Sequence, residues 1–414
     1  MGHEESAIRH SQFQLIQTFM KANVILLLGI LLWGCGKKEE KNVFLKIPLV
    51  VITDLYHPYQ DPGDNLDLIN GFAMPDVDLQ AVILDITDAF RKDTADHPWL
   101  WHDPNGPREA GIIPVAQLNF IFNRNIPCAS GPMTSMKTET DKMEDLPMYE
   151  QQGIDLLLHV LKESPVPVQI LSFGSSRVLA VAFNRDPDLM RQKIKRIHLC
   201  AGTAAPNFER GNEPGANLIP GGEWNVALDV FAFTRLLRSG LPIALYPCAG
   251  KDGAFVKDVN NTYWRMGKMD FLKEMSPRLQ CYLDYAFHKG LQHDFLRAMD
   301  KGAPFTEDRA AYMDVFHFWE TAVWLKATNR ELVKEGKGGY RIKKKSEIIS
   351  TDRILENSLR PCLLKVQDDG RFQFSYTDKP TNISIYFRPD TAENEIALNE
   401  AVPWLFRSYD QKQE

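Results

Sequence analysis

The feature that most constrains this chain is an alternation, from residue 43 onward, of short apolar runs with helical patterns. Runs at 48–53, 81–86, 126–129, 168–173, 194–199 and 241–246 are short, rich in Val, Ile and Leu, and read as buried strands. Helix-like stretches at 66–72, 113–122, 153–162, 178–184 and 230–237 lie between them. Such an order predicts an α/β fold, an open and mostly parallel sheet flanked by crossover helices. No break in composition interrupts the series, so one large domain over residues 45–330 is expected. After residue 250 the pattern reads as helical to 326, and a basic stretch, 334–345, leads into two alternating runs, 371–376 and 383–387. These read as a C-terminal β-hairpin within an extension, residues 331–414, that packs on the main domain.

Composition narrows the partner. A formal net charge of -6 gives no overall basic field, which argues against nucleic acid and favours a small-molecule ligand. No GxGxxG, GxxxxGK[ST] or HExxH pattern occurs, which removes the common dinucleotide, P-loop and zinc readings.

The strongest apolar run, Val24 to Trp33, is about half of the ~20 residues a membrane-crossing helix needs. Met20-Lys21 precedes it and Gly34-Cys35 follows, the layout of a secretory signal over residues 20–35. Met20 then reads as the true start, with residues 1–19 an extension or start-site artefact. Leu32-Trp33-Gly34-Cys35 resembles the lipobox of bacterial lipoproteins, which implies lipidation at Cys35 and a lipid-anchored protein of the bacterial cell envelope. The charged run through Lys41 reads as a solvated tether, residues 36–44. Of the remaining cysteines, Cys128, Cys200 and Cys248 end apolar runs and read as buried structural thiols, with no CxxC pairing.

The stretch from Val51 to Asp67 carries the chemistry. A strand runs into four carboxylates, Asp54, Asp61, Asp64 and Asp67, and then into a helix. Ligands of open α/β sheets bind beyond the carboxyl ends of the strands, and like charges gathered there suit a hard cation with oxygen ligands. An ordinary helix cap with surface acids fits this stretch equally well when it is taken alone.

Over 45–325 the chain resembles the inosine-uridine-type nucleoside hydrolase superfamily. Asp54 followed by Asp61-Pro62-Gly63-Asp64 is similar to the family's calcium-binding DxDPGxDD loop. The missing second aspartate of the family's pair falls to Asp61 or Asp67. Leu171 to Ala180 resembles a strand-to-helix turn in which Phe173 takes the place of a residue whose carbonyl reaches the metal. Asn217, Glu223-Trp224-Asn225 and Asp229 match the family's Asn, Glu-Phe-Asn and Asp spacing. Trp319-Glu320 falls where the family has His-Asp.

The resemblance implies Ca2+ held by Asp54, Asp61, Asp64, the Phe173 carbonyl and Glu320. It implies Asp54 or Asp61 as general base, and Asn217, Glu223, Asn225 and Trp319 on the substrate. The activity implied is metal-dependent hydrolysis of N-glycosidic bonds in ribonucleosides or related ribosyl compounds, and a homo-oligomer is compatible with it. With the family's His replaced, His57, His97, His102 and His317 are the candidate general acids. The alternatives are a surface-anchored, non-catalytic sugar or nucleoside binding protein, and a hydrolase of another glycosidic substrate.

Overall fold

The computed structural model of the chain describes residues 46–55, 62–85, 111–209, 222–267, 269–287, 316–336 and 338–410. Within them β1 (Ile47–Thr53), β2 (Val77–Leu84), β3 (Cys128–Ser130), β4 (Val168–Phe173) and β5 (Ile194–Cys200) alternate with helices. The helices are Pro62–Ala73, Ile112–Ile121, Met148–Glu163, Arg177–Arg185 and Pro187–Lys193. Short β6 (Thr203–Ala204) leads to the helices Trp224–Leu228 and Val230–Leu237, then to β7 (Ile243–Tyr246) and short β8 (Ala249–Gly250). β9 (Trp264–Met266) and β10 (Phe316–Phe318) pair with each other, and the helices Pro277–Phe287 and Thr321–Ala327 follow them respectively. β11 (Arg330–Lys334), β12 (Tyr340–Lys344) and β13 (Arg353–Ile354) form a small antiparallel sheet. Last come β14 (Ser358–Val366), β15 (Phe372–Tyr376), β16 (Ile383–Phe387) and the helix Thr391–Asp410.

The main sheet has nine strands in the order β15-β14-β16-β7-β5-β4-β1-β2-β3. Its strands are parallel from β16 to β3, as the alternation predicts; only β14 and β15 run against their neighbours. Both C-terminal runs read from sequence are strands of this sheet, but they do not pair with each other. β14 lies between β15 and β16, and β16 joins β7 in parallel, Ile383 opposite Ile243. The expected hairpin is therefore a three-strand continuation of the sheet. β14 escapes sequence reading because Arg360, Pro361 and Lys365 interrupt its apolar pattern. The stretch expected to be helical up to 326 also contains β9 and β10, three residues each, too short for periodicity to register.

Alternation along each strand divides the core in two. Leu49 and Val51 face one layer, with the helices Pro62–Ala73, Pro277–Phe287, Thr321–Ala327 and Thr391–Asp410. Val50 and Ile52 face the other, with Met148–Glu163, Arg177–Arg185 and Val230–Leu237. Covering both faces of a parallel sheet is what makes its strands read as continuous apolar runs. One polar rung crosses this interior. The Gln169 amide donates to the Ala327 carbonyl, its Oε1 meets His198 Nε2 at 2.8 Å, and His198 Nδ1 meets the Tyr246 hydroxyl at 2.9 Å. Burial, reinforced by Arg196 and Lys195, lowers the His198 pKa to about 3, so the ring is neutral.

Candidate active site at the carboxyl edge of the sheet

The parallel strands deliver their last residues to one edge, where polar side chains follow apolar strands. At the end of β1, Thr53 is buried and Asp54 half-buried. Thr53 Oγ1 donates to Asp64 Oδ2 at 3.4 Å, so the helix Pro62–Ala73 returns its first turn, and the 8%-exposed Asp64, to the tip of β1. Asp67, one turn further, accepts from Asn70 at 3.5 Å, and Asn70 accepts from Tyr409 at 2.6 Å. Phe173 ends β4 opposite Thr53, and its ring packs on Trp324 with centroids 6.4 Å apart.

Gly174 follows, where three strand ends crowd together. A Cβ there would lie 3.3 Å from the Asp85 carbonyl oxygen and 3.4 Å from the Asp54 nitrogen. Two residues on, Ser176 is buried at φ 63, a left-handed conformation that a non-glycine residue holds only under constraint from its surroundings.

Asp85, directly after β2, is a site residue that sequence reading missed. It is fully buried; its Oδ1 accepts from the Ser175 hydroxyl at 2.8 Å, and its Oδ2 has no hydrogen-bond donor among the described residues. Burial raises its pKa, against the opposing pull of Arg177 and the Ser175 hydrogen bond. The signal was a carboxylate immediately after an apolar strand, as at Asp54, but it was absorbed into the strand itself, read as 81–86. Arg177, also fully buried, donates to Asp229 at 2.8 Å and to the Pro132 carbonyl at 2.7 Å. Asp229 also caps the helix Val230–Leu237 through the Ala232 amide, so its position in the motif serves the scaffold.

The other half of the edge is built on β5 and β7. Glu223 caps the helix Trp224–Leu228, accepting from the amides of Asn225 and Val226, and also from Gly202 at 2.7 Å. Asn225 donates its side-chain amide to the Cys200 carbonyl at 2.8 Å. Trp319 donates its indole N–H to the carbonyls of Cys248 and Ala254 at 3.1 and 3.2 Å. Glu320, 7% exposed, begins the helix Thr321–Ala327 and accepts from the Trp319 amide at 3.2 Å. The negative fields of Glu320 and Glu223 both help to raise the Cys200 and Cys248 thiols. Trp319 stands among Phe255, Tyr263 and His317, with centroids 5.4, 5.4 and 6.4 Å away.

The structure thus brings Glu223, Asn225, Trp319 and Glu320 together on one half of the edge, and Asp54, Asp64 and Phe173 on the other. Asp61, Asn217, His57, His97, His102 and Cys35 lie outside the described residues. His317 accepts or donates at Tyr263 across 2.8 Å, and burial with Arg265 lowers its pKa. It is therefore neutral at pH 7 and a poor proton donor. Among the described residues no three His, Cys, Asp or Glu side chains converge as a metal site, and none of the helices is long and apolar enough to cross a membrane. A cleft of about 850 Å³ lined by Phe120, Arg124, Arg278 and Tyr409 opens near the amino-terminal ends of β2 and β3, away from these residues.

No protein-family model matches the chain. The pyrimidine-specific ribonucleoside hydrolase RihA of Salmonella typhi is 24% identical over 193 residues, 45% of this chain and 57% of the relative. An uncharacterised protein of Schizosaccharomyces pombe is 29% identical over 99 residues, 24% of this chain and 29% of the relative. The chain thus spans a little over half the length of the curated hydrolases it matches. Among solved structures, a plant nucleoside hydrolase aligns with TM-score 0.48 and 14% identity, over 88% of this chain and 98% of its own. An inosine-guanosine nucleoside hydrolase aligns with TM-score 0.47 and 15% identity, over 88% and 99%. Over 45% of its length the chain is similar in sequence to pyrimidine-specific ribonucleoside hydrolases.

Proposed function

We propose that this protein hydrolyses the N-glycosidic bond of a ribonucleoside or a related ribosyl compound. The observation that carries the proposal is the gathering, at the carboxyl edge of a parallel sheet, of strand-end carboxylates beside a Glu223–Asn225–Trp319 group. That edge is where open α/β sheets take ligands. The sequence match to RihA supports the same chemistry.

In this reading Asn225 and Glu223 hold sugar hydroxyls, Trp319 with Phe255 and Tyr263 offers an aromatic wall to the leaving base, and Asp54 takes the proton of the attacking water. Departure of the base leaves an oxocarbenium-like centre, which nearby carboxylates stabilise by charge and position. Ca2+ belongs to the proposal: Asp54, Asp61, Asp64, the Phe173 carbonyl and Glu320 would hold it, and it would polarise the water. Hard oxygen donors suit that ion, but the described donors form no cluster of three, so no step above is routed through it. Attachment to the cell envelope through Cys35 rests on the sequence and is part of the same proposal; radiolabelled lipid incorporation that persists in Cys35→Ala would remove it.

A second reading, a binding protein without turnover, is favoured by how fully Glu223 and the Trp319 N–H are committed to backbone partners. The deciding experiment incubates the full chain with purine and pyrimidine ribonucleosides, with and without chelator, and measures free ribose. Release abolished in Asn225→Ala supports hydrolysis. No release from any nucleoside, with binding still seen by calorimetry, supports the second reading.

A further inference from the structure

Cys200 and Cys248 have no role in the chemistry above, yet they sit at its centre. Cys200 is the last residue of β5, and Cys248 lies two residues beyond β7, the neighbouring parallel strand. Both are buried, and their sulfurs stand 3.5 Å apart. A disulfide needs a sulfur separation of about 2.05 Å and Cα atoms roughly 4.4–6.8 Å apart. The strand register sets Cys200 opposite Tyr246, so Cys248 lies diagonally two residues on, and closing the bridge takes a local shift of these strand ends as well as an approach of the sulfurs.

The same two residues are the backbone mounts of the proposed ligand-facing groups. The Cys200 carbonyl holds the Asn225 side chain, and the Cys248 carbonyl holds the Trp319 indole. The Cys200 sulfur also touches the Trp319 carbonyl oxygen and the Thr262 hydroxyl, each at 3.9 Å. Drawing the sulfurs together therefore turns both mounts at once.

We propose that Cys200 and Cys248 form a reversible dithiol–disulfide couple that sets whether the β5–β7 half of the site is assembled. The oxidant is hydrogen peroxide. One cysteine sulfur attacks the O–O bond, becoming a sulfenic acid as the first water leaves. The second cysteine sulfur then displaces the hydroxyl as the second water, forming the S–S bond. Two thiols lose two electrons in all, and one peroxide becomes two waters. A dithiol reductant returns both thiols. For Cys200, the Cys248 hydrogen bond favours the thiolate, but burial, Glu320 and Glu223 outweigh it. For Cys248, that same hydrogen bond and burial push the thiol well above its usual range. Thiolate is the reacting species, so oxidation should speed up as pH rises.

The effect on hydrolysis rests on the proposed function; the bridge itself does not. The test treats the full reduced chain with hydrogen peroxide, quenches it by alkylation and maps peptides by mass spectrometry. A Cys200–Cys248 bridge that dithiothreitol reverses is expected, with faster amide exchange in peptides covering 223–229 and 316–324. Absence of the bridge, bridging of a different pair, or a bridge that leaves exchange in those peptides unchanged would overturn the proposal. Cys248→Ser, if folded, should lose the bridge and keep the exchange pattern of the reduced chain under peroxide. If the chain releases ribose, the bridged form should do so about tenfold or more slowly, with recovery on reduction. A missing ribosyl hydrolysis with an intact bridge and exchange response counts against the function and leaves the couple standing.

Discussion

The two halves of the carboxyl edge treat polarity in opposite ways. On β5 and β7, Glu223 takes three backbone amides, Asn225 and Trp319 donate to strand-end carbonyls, and each tie fixes a side chain to the scaffold. On β1, β2 and β4, Asp54 is half-buried, Asp85 keeps a buried oxygen without a donor among the described residues, and Ser176 holds a left-handed backbone. Strain and unmet charge of this kind are expensive, and they gather where chemistry is done. Under the proposed function, the difference assigns positioning to the β5–β7 half and reaction to the β1–β4 half.

The contrast can be broken most severely where the halves meet. Arg177→Leu should cost about 3–5 kcal/mol by leaving Asp229 buried and unpaired, read as a lower denaturation midpoint. A loss below about 1 kcal/mol would mean that the pair does not join the halves. Asp54→Ala tests the reacting half alone. Ribose release should fall by about 10²–10⁴-fold with an unchanged melting temperature, and a change confined to KM would assign Asp54 to binding.

Two pH measurements sharpen the contrast at smaller scale. The fold keeps His198 neutral down to about pH 3, whereas the unfolded chain protonates it below about 6.5. Stability is thus retained above pH 6.5 and lost as pH falls toward 3, by up to about 1.4 kcal/mol per unit from this group. His198→Gln should flatten that slope. Asp85 has the opposite sign. Its raised pKa favours the protonated form in the fold, so its contribution is present in acid and lost as pH rises above its ordinary 3.8. Asp85→Asn should therefore raise the melting temperature slightly at neutral pH and leave it unchanged in acid. A lower melting temperature at neutral pH would mean that the buried carboxylate is used by the scaffold.

The parallel core was legible because strands buried on both faces leave continuous apolar runs; β4, read at 168–173, has those bounds in the fold. Strands on the antiparallel margin carry charge and proline, so β14 leaves no apolar pattern and its two partners read as a hairpin. The tie between Asp64 and Thr53 was implicit in a carboxylate at a helix start eleven residues on. The reach of Glu223 to the Gly202 amide, and the approach of Cys200 to Cys248, arise from strand order, which residue spacing does not encode. Asp85 lay in plain view, but its isolation emerges only when Ser175 and Arg177 arrive from β4.

The rung through Gln169, His198 and Tyr246 has a further consequence for assembly. Its members come from β4, β5 and β7, and the far end rests on Ala327 just before β11. Where the buried residues of neighbouring strands are mostly apolar on both faces, slipping one strand by a single residue costs little in hydrophobic contact. Here such a slip would strand several polar groups in an apolar layer, each at about 1–3 kcal/mol. The rung thus works as a proofreading key, admitting one alignment of three interchangeable strands and rejecting its neighbours before the loops at their ends are committed.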